Sequence, residues 1–175
     1  CIRDSCCGCF PGNNVQCADA EHAYVQAELK GTETWICLPP EQWPKSWHDK
    51  GLVRPVVRMH KALYGHPDSG TFWEQHCDEA VKKEGFEPVP NWSSCYFHPK
   101  LKLYLVIYVD DFKLAGPAKN LAEGWRKIRR TLKTEDPKNL EDTMYLGCRQ
   151  VMGTIDVPDP DGSGRKVKAK CMTYD

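Results

Sequence analysis

The chain has 175 residues, 41% hydrophobic and 27% charged, with 24 basic side chains against 24 acidic ones. This composition excludes intrinsic disorder and collagen, and the length suits one domain with a real core. We expect neither a membrane span nor an export signal, because the longest strongly apolar run, residues 103–109, is far shorter than the ~18 residues that a membrane helix needs. Since the first residue is Cys1, we expect a piece of a longer reading frame.

The ten cysteines are unevenly distributed, and they are too few for a disulfide scaffold of this length. Cys6 and Cys9 have the C-x-x-C spacing of a zinc site, which Cys17 and His22 would complete, but structural zinc sites usually offer a second close pair. The sequence favours reduced thiols at a truncated edge and leaves a zinc-binding interaction module as an alternative. Five further cysteines fit small core positions: Cys37, Cys77, Cys95, Cys148 and Cys171.

The first clear element is an amphipathic helix over residues 71–84, which the following glycine ends. Asp68 and Ser69 are candidate caps, and Thr71 with Glu74 resembles a capping box. The apolar residues at helical spacing are Trp73, Cys77, Ala80 and Val81.

Residues 95–97 and 103–109 read as an antiparallel strand pair joined by a turn over 98–102. Asp110 and Asp111 follow directly, and the apolar residues 112 and 114 come before a breaker. This pattern places the two aspartates at the tip of a second tight hairpin.

A second amphipathic helix is predicted over residues 121–133, with a basic outer face that suits either solvent or a nucleic-acid backbone. Its apolar stripe consists of Leu121, Trp125, Ile128 and Leu132. Loops are predicted over 39–51, 134–142 and 153–164. The basic tail fits an edge strand protected by lysines as well as a template contact, and its basic residues are Arg165, Lys166, Lys168 and Lys170.

Helices, strands and hairpins in this order indicate an α+β fold, with an antiparallel sheet covered on one side by helices.

A buried strand that ends in two adjacent carboxylates, Asp110 and Asp111, is costly unless a cation is near, because like charges repel and resist desolvation. Magnesium prefers such oxygen ligands. A solvated aspartate turn is the alternative for this pair taken alone.

Asp19 opens the run Asp-Ala-Glu-His-Ala-Tyr, and Tyr108-Val109-Asp110-Asp111 follows some ninety residues later. Together these runs resemble the first and second metal-binding motifs of reverse transcriptases. The landmarks between and after them resemble the copia-type retrotransposon branch, and the resemblance covers about residues 15–152. In order, these landmarks are 61–65 (Lys-Ala-Leu-Tyr-Gly), Ser69, Trp73, 84–86 (Glu-Gly-Phe), 95–97 (Cys-Tyr-Phe) and 145–147 (Tyr-Leu-Gly).

The resemblance implies an RNA-directed DNA polymerase fragment of a Pol polyprotein. In fold terms it implies a reverse transcriptase palm, a ferredoxin-like antiparallel sheet packed on helices, with partial fingers. Residues 1–152 would form the palm with incomplete fingers. Residues 153–175 would be a loop and basic tail, the start of a truncated downstream segment.

The resemblance further implies that Asp19 and Asp110 bridge two Mg²⁺ ions, for which Mn²⁺ can substitute. Asp111 would be a nearby third acid. Tyr24, next to Ala23, would exclude a 2′-hydroxyl by steric clash. Tyr108 would pack against the primer or template. The substrates would be an RNA or DNA template with its primer and deoxynucleoside triphosphates.

Some features depart from the family pattern. Asp68 stands near a position where the family often has glutamine, either as an anion facing a polyphosphate or as a helix cap. Residues 1–10 match poorly the basic strand that usually precedes the first aspartate in the family.

RNase H and integrase are expected in the full frame, in a cytoplasmic particle whose product enters the nucleus. The alternative is an inactive transposon remnant that at most binds nucleic acid.

Overall fold

The computed structural model describes residues 2–159 and 164–174 of the chain. Within these residues the helices are α1 (Ile2–Cys9), α2 (Ala23–Gln26), α3 (Lys45–Asp49), α4 (Ser69–Lys83) and α5 (Ala118–Ile128). The strands are β1 (Asn13–Asp19), β2 (Trp35–Cys37), β3 (Val56–Arg58), β4 (Glu87–Pro88), β5 (Cys95–His98), β6 (Leu103–Tyr108), β7 (Asp111–Pro117), β8 (Lys138–Asn139), β9 (Met144–Tyr145), β10 (Cys148–Pro158) and β11 (Lys166–Tyr174).

Six strands form the main sheet in the order β4-β5-β6-β7-β1-β8, and all neighbouring pairs are antiparallel. The strand pair and the second hairpin predicted from the sequence are β5–β6 and β6–β7. β1 lies between β7 and β8, so that the sheet joins the start of the chain to segments about a hundred residues later. The mixed α and β class with an antiparallel sheet is confirmed.

The two predicted helices, α4 and α5, pack on one face of this sheet. The alternation of strand side chains directs Leu105 and Ile107 of β6 and Phe112 and Leu114 of β7 to that face. There they form one apolar cluster with residues of the helices, which include Trp73, Cys77, Val81, Leu121, Trp125 and Ile128. Burial of this cluster is the main stabilising contribution to the fold.

The second face is also covered, so the prediction of helices on one side only is wrong in this respect. Val15 and Cys17 of β1 pack there with Ala115, Leu140 and Tyr145. α1 approaches β1 so closely that a side chain at Gly8 would clash with Val15. The sequence did not reveal this layer because the apolar residues of β1 alternate with polar ones within a cysteine-rich segment.

Helix α4 begins at Ser69, two residues before the predicted start. Asp68 occupies the N-cap position without a side-chain cap hydrogen bond, and the capping box of Thr71 and Glu74 is wrong because both lie inside the helix. The Ser69 hydroxyl instead donates to the Leu63 carbonyl at 2.8 Å and accepts from the Leu63 N–H at 2.9 Å. The start of the helix is therefore fixed by the preceding loop.

Helix α4 ends in a Schellman motif. The glycine that follows the helix predicted its end at this point. The Gly85 N–H donates to the Lys82 carbonyl at 3.0 Å, and the Phe86 N–H donates to the Val81 carbonyl at 3.1 Å. Gly85 has φ +92°, which favours glycine. Phe86 and Val81 are both buried in the core.

Helix α5 ends at Ile128, five residues before the predicted end. The chain makes one further turn, in which the Leu132 N–H donates to the Ile128 carbonyl at 3.1 Å and Leu132 is buried. The apolar repeat therefore extends beyond the helix itself.

The predicted loops contain more regular structure than expected. Residues 39–51 include α3 and a 3-10 turn at Pro40–Gln42, each with a proline at or just before its start. Residues 134–142 include β8 and a 3-10 turn at Leu140–Asp142.

The loop predicted over 153–164 is wrong for residues 153–158, which belong to β10. Gly153 lies against Cys171, where an added Cβ would come within 3.3 Å of Sγ, and Pro158 is the last residue of the strand. Pro160 and Gly162 lie outside the described residues. β10 pairs with β11, which forms one edge of a three-stranded sheet, as the edge-strand interpretation of the lysine-rich tail predicted.

A two-stranded hairpin of β2 and β3 lies apart from the main sheet in the pairing scheme. None of the helices among the described residues has the length and apolar character required to cross a membrane.

Candidate functional site

The candidate site is centred on the turn between β6 and β7. Tyr108 and Asp111 are paired across the hairpin, which leaves Val109 and Asp110 as the central turn residues. Val109 has φ +55°, in the left-handed region that β-branched residues rarely adopt. The sequence predicted this hairpin tip correctly, and the strained valine is a feature that the sequence did not indicate.

Asp19, the last residue of β1, is directly opposite Asp111 in the register of β1 and β7. Immediately beyond this pair, the Ala20 N–H donates to the Asp110 carbonyl at 2.7 Å. The end of β1 is thus tied to the hairpin tip. The fold brings Asp19 to the same edge of the sheet as Asp110 and Asp111, which come about ninety residues later in the sequence.

The charges at this edge repel one another. The pKa of Asp111 is raised from 3.8 to about 6, first by burial and then by the negative charges of Asp19 and Asp110. When protonated, Asp111 donates a hydrogen bond to Asp19, which also raises its pKa. A cation at this edge would relieve the repulsion and favour the ionised form.

The donor set at this edge fits a hard divalent cation, because all three side chains are carboxylates. Within residues 2–159 and 164–174, no three acidic, histidine or cysteine side chains are already grouped as a metal site. The same finding applies to the candidate zinc ligands, since Cys17 is buried in β1 while Cys6 is exposed on α1. The chemical fit therefore rests on the facing pair Asp19 and Asp111 and on the adjacent Asp110.

Tyr24 lies in α2, which follows Asp19 closely in the chain, and it is half-buried. Ala23 beside it is fully buried, so its side chain faces the core and is not open to a substrate. The Tyr24 ring packs on the ring of Tyr64 with centroids 4.3 Å apart.

Tyr64 is a site residue that sequence reasoning missed, although its motif at 61–65 was noted. Its side chain is 58% exposed. Partial desolvation of the phenol, followed by the charge of Asp110 and by Tyr24, raises its pKa. The phenol therefore lies within the electrostatic reach of both the hairpin tip and Tyr24. The one available signal was the position of Tyr64 in the motif at 61–65, a few residues before the start of α4.

A cavity of about 510 Å³ adjoins the hairpin on the side of α4. Tyr108, which is 59% exposed, lines it together with Tyr24 and Val109. The helix contributes Trp73, whose indole N–H donates to the Val109 carbonyl at 2.6 Å. The hairpin tip is therefore held from the helix as well as from β1.

Asp68 is exposed before the first turn of α4. The cap interpretation of this residue holds for its position at the N-cap but not for its side chain, which makes no cap hydrogen bond within the described residues. No described contact joins Asp68 to the three aspartates, and its backbone N–H donates to the Nδ1 of His66 at 3.2 Å.

Most of the chain is similar in sequence to known proteins. The sequence model of a family described as "Reverse transcriptase (RNA-dependent DNA polymerase)" matches residues 11–173. The Transposon Ty1-MR1 Gag-Pol polyprotein of Saccharomyces cerevisiae is 31% identical over 121 residues, which is 69% of this chain and 6% of that polyprotein.

Two further relatives come from the same yeast. The Transposon Ty1-BL Gag-Pol polyprotein is 30% identical over 121 residues, 69% of this chain and 6% of its own length. The Truncated transposon Ty1-A Gag-Pol polyprotein is 30% identical over 118 residues, 67% of this chain and 9% of its own length. The chain spans less than a tenth of the length of these curated relatives.

Proposed function

Since the chain belongs to the reverse transcriptase (RNA-dependent DNA polymerase) family, we propose that it carries the catalytic centre of a polymerase that copies a primed template into DNA. The identification as a copia-type retrotransposon reverse transcriptase fragment is confirmed by the family match and the Ty1 relatives. The observation that carries the proposed activity is the placement of Asp19 opposite Asp111, with Asp110 at the adjoining turn.

The strand order supports the proposal that the main sheet is a palm. The segment β6-β7-β1-β8 has α4 between β1 and β6 and α5 between β7 and β8 along the chain. This is the connectivity of a ferredoxin-like β-α-β-β-α-β unit. We assign residues 1–152 to the palm with incomplete fingers and 153–175 to the start of a downstream segment, although residues 153–158 form a strand rather than a loop.

Asp19, Asp110 and Asp111 would hold two Mg²⁺ ions, for which Mn²⁺ can substitute. When bound, such ions lower the pKa of a primer 3′-hydroxyl and neutralise charge on the pyrophosphate leaving group. The three carboxylates must be ionised to bind them. Burial, followed by the negative charges of Asp19 and Asp110, raises the pKa of Asp111 in the metal-free chain, and a shared cation would offset both effects because it attracts all three carboxylates.

The aromatic residues around the hairpin would position the nucleic acid. Tyr24, supported by Tyr64, would lie under the incoming sugar and exclude a 2′-hydroxyl. Tyr108, exposed beside the turn, would pack against the primer or template. Ala23 would act only through its backbone, because its side chain is buried. Asp68 stays a candidate substrate contact that no described interaction supports.

The basic face of α5 contributes less to this proposal. Arg126 pairs with Glu123 at 2.6 Å, Arg129 with Asp136 at 2.8 Å and Arg130 with Glu84 at 3.1 Å. Side chains paired in this way favour a solvated surface over a contact with phosphates. RNase H, integrase and a cytoplasmic particle with access to the nucleus remain part of the proposal for the full polyprotein.

Primer extension tests the proposed activity. The template is poly(rA) with an oligo(dT) primer, dTTP and Mg²⁺, and the proteins are this chain and the reading frame extended in both directions. Asp110→Asn should abolish extension, whereas Asp156→Asn, an exposed aspartate opposite Lys168 in the β10–β11 hairpin, should leave it unchanged. Folded extended protein without activity would instead identify an inactive remnant.

A further inference from the structure

The turn that presents Asp110 has a valine at a position suited to glycine. Val109 has φ +55°, and Asp110 is not among the residues with positive φ. Positive φ at the first central residue alone is the pattern of a type II′ hairpin turn, which prefers glycine there. A valine in this conformation is strained and persists only when neighbouring contacts hold it.

The contact that holds Val109 comes from α4. The indole N–H of Trp73 donates to the Val109 carbonyl at 2.6 Å. Trp73 is 2% exposed and packs in the main core, so its ring cannot move without disturbing the helix. The donor is therefore fixed in space by a core that does not itself include the turn.

A second contact fixes the next residue of the turn. The Ala20 N–H donates to the Asp110 carbonyl at 2.7 Å. Two successive carbonyls of the turn are thus held by two different elements, one by the helix and one by the end of β1. The Ala20 amide is consequently a local reporter of where the turn lies.

We propose that Trp73 is a positioning residue, whose indole N–H holds the strained Val109 turn and so sets the positions of Asp110 and Asp111. As far as catalysis is concerned, this inference rests on the proposed function. The geometric part stands by itself, because the position of the turn can be measured without any polymerase activity.

Amide hydrogen exchange at Ala20 in the whole chain tests the geometric part. Trp73→Phe keeps a buried ring and removes the donor, and we expect Ala20 to exchange about tenfold faster, as loss of one hydrogen bond implies. The matched control is Trp125→Phe. Trp125 is also 2% exposed, and its indole N–H donates to Gln16 Oε1 at 3.0 Å, away from the turn.

Val109→Gly distinguishes loss of the hydrogen bond that holds the turn from loss of side-chain packing at position 73. Glycine adopts positive φ without strain, so the turn should no longer need the indole. In the double variant with Trp73→Phe, Ala20 should recover most of its wild-type protection, which a mere loss of packing at position 73 would not allow.

A third substitution covers the case in which Trp73→Phe does not fold. β-(3-Benzothienyl)alanine at position 73 keeps the shape of the indole and replaces N–H by sulfur, and it should also speed exchange at Ala20. Unchanged exchange at Ala20 with either replacement, equal loss in the Trp125→Phe control, or failure of Val109→Gly to restore protection would overturn the inference.

If the extended chain polymerises, Trp73→Phe should lower kcat for nucleotide addition about tenfold with little change in KM for dTTP. This split is expected because the carboxylates move while the sugar-facing residues remain in place. If neither this chain nor the extended chain polymerises, the exchange data still decide the role of Trp73, so the two failures can be told apart.

Discussion

Asp111 combines a favourable position for metal binding with an unfavourable environment for its charge. Its neighbours Asp19 and Asp110 are also acidic, and it is partly buried. Sites of this kind commonly lower the stability of the unliganded fold in return for function. The sequence predicts the position of Asp111 through the hairpin pattern and the family motif. It does not predict the partners of Trp73 and Tyr64, because those contacts join residues that are distant in the sequence.

Asp111→Asn should stabilise the metal-free chain at pH 7, by on the order of 1 kcal/mol after allowance for solvent screening. The folded pKa of about 6 exceeds the ordinary 3.8, so ionisation of Asp111 disfavours folding. This cost is absent below about pH 4 and grows as the pH rises to about 6. Urea unfolding at pH 4 and pH 7 measures it, with Asp156→Asn as the control. Equal stability of wild type and Asp111→Asn at pH 7 would contradict the electrostatic interpretation.

His98 should make the fold sensitive to mild acid. It is buried, its Nδ1 accepts the Leu101 N–H at 3.3 Å, and its Nε2 has no hydrogen-bond partner among the residues that the structure describes. Burial, followed by the nearby Lys127, lowers its pKa from 6.5. The unfolded chain therefore binds a proton first, and stability should fall as the pH drops below 6.5.

The measurement is the free energy of unfolding between pH 7 and pH 5, compared with that of His98→Gln. The variant should lose part of the slope, because glutamine does not titrate in this range. The pKa of His76 is lowered in the same direction, so His76→Gln is the control for the remaining slope. An identical slope in wild type and His98→Gln would rule out the role of His98.

At the level of elements, the sequence located α4 and the β5–β6 hairpin within about two residues, because their apolar periods and breakers agree. It ended the second hairpin three residues too early, since β7 continues through the predicted breaker at 115–117 and pairs there with β1. It placed the end of α5 too late, since Leu132 continues the apolar stripe after the helix has ended. It missed the strand at 153–158, because glycine and proline are typical of loops. Here Gly153 allows close packing against Cys171, and Pro158 ends the strand. Local patterns do not distinguish these uses.

Gly85→Ala tests the C-terminus of α4. Alanine there would require φ +92°, and its Cβ would lie 3.3 Å from His98 Nε2. We expect a loss of about 1–2 kcal/mol in urea unfolding. Gly51→Ala is the matched control, because Gly51 has φ +61° with no neighbour within 4 Å of the added Cβ. If the two substitutions cost the same, the crowding at His98 has no energetic effect.

At the scale of the whole molecule, a buried lysine connects the two larger sheets. Lys113 of β7 is fully buried, donates from Nζ to Gln150 Oε1 of β10 at 2.7 Å, and lies 4.8 Å from the ring centroid of Tyr145. Lysine in the middle of an apolar strand gives no hint of its partner in the sequence. The docking of β9 and β10 on the second face could not have been predicted for this reason.

Lys113→Met should destabilise the chain by about 2 kcal/mol, because Gln150 is left buried without this donor. Gln150→Leu in the same chain should recover a large part of that loss, which a double-mutant cycle in urea measures. Additive effects of the two substitutions would show that the contact does not couple the sheets.

The most direct measurement of the proposed centre is the number of Mn²⁺ ions bound, determined by electron paramagnetic resonance. The sample is the extended chain with poly(rA), a dideoxy-terminated oligo(dT) primer and dTTP, so that binding is observed without turnover. We expect the Mn²⁺ binding that depends on Asp110, measured as the difference between wild type and Asp110→Asn, to be lost or weakened at least tenfold in this variant, and we expect Asp156→Asn to bind as many ions as wild type. Equal Mn²⁺ binding by wild type and Asp110→Asn would contradict the assignment of the aspartates at this sheet edge as the metal centre.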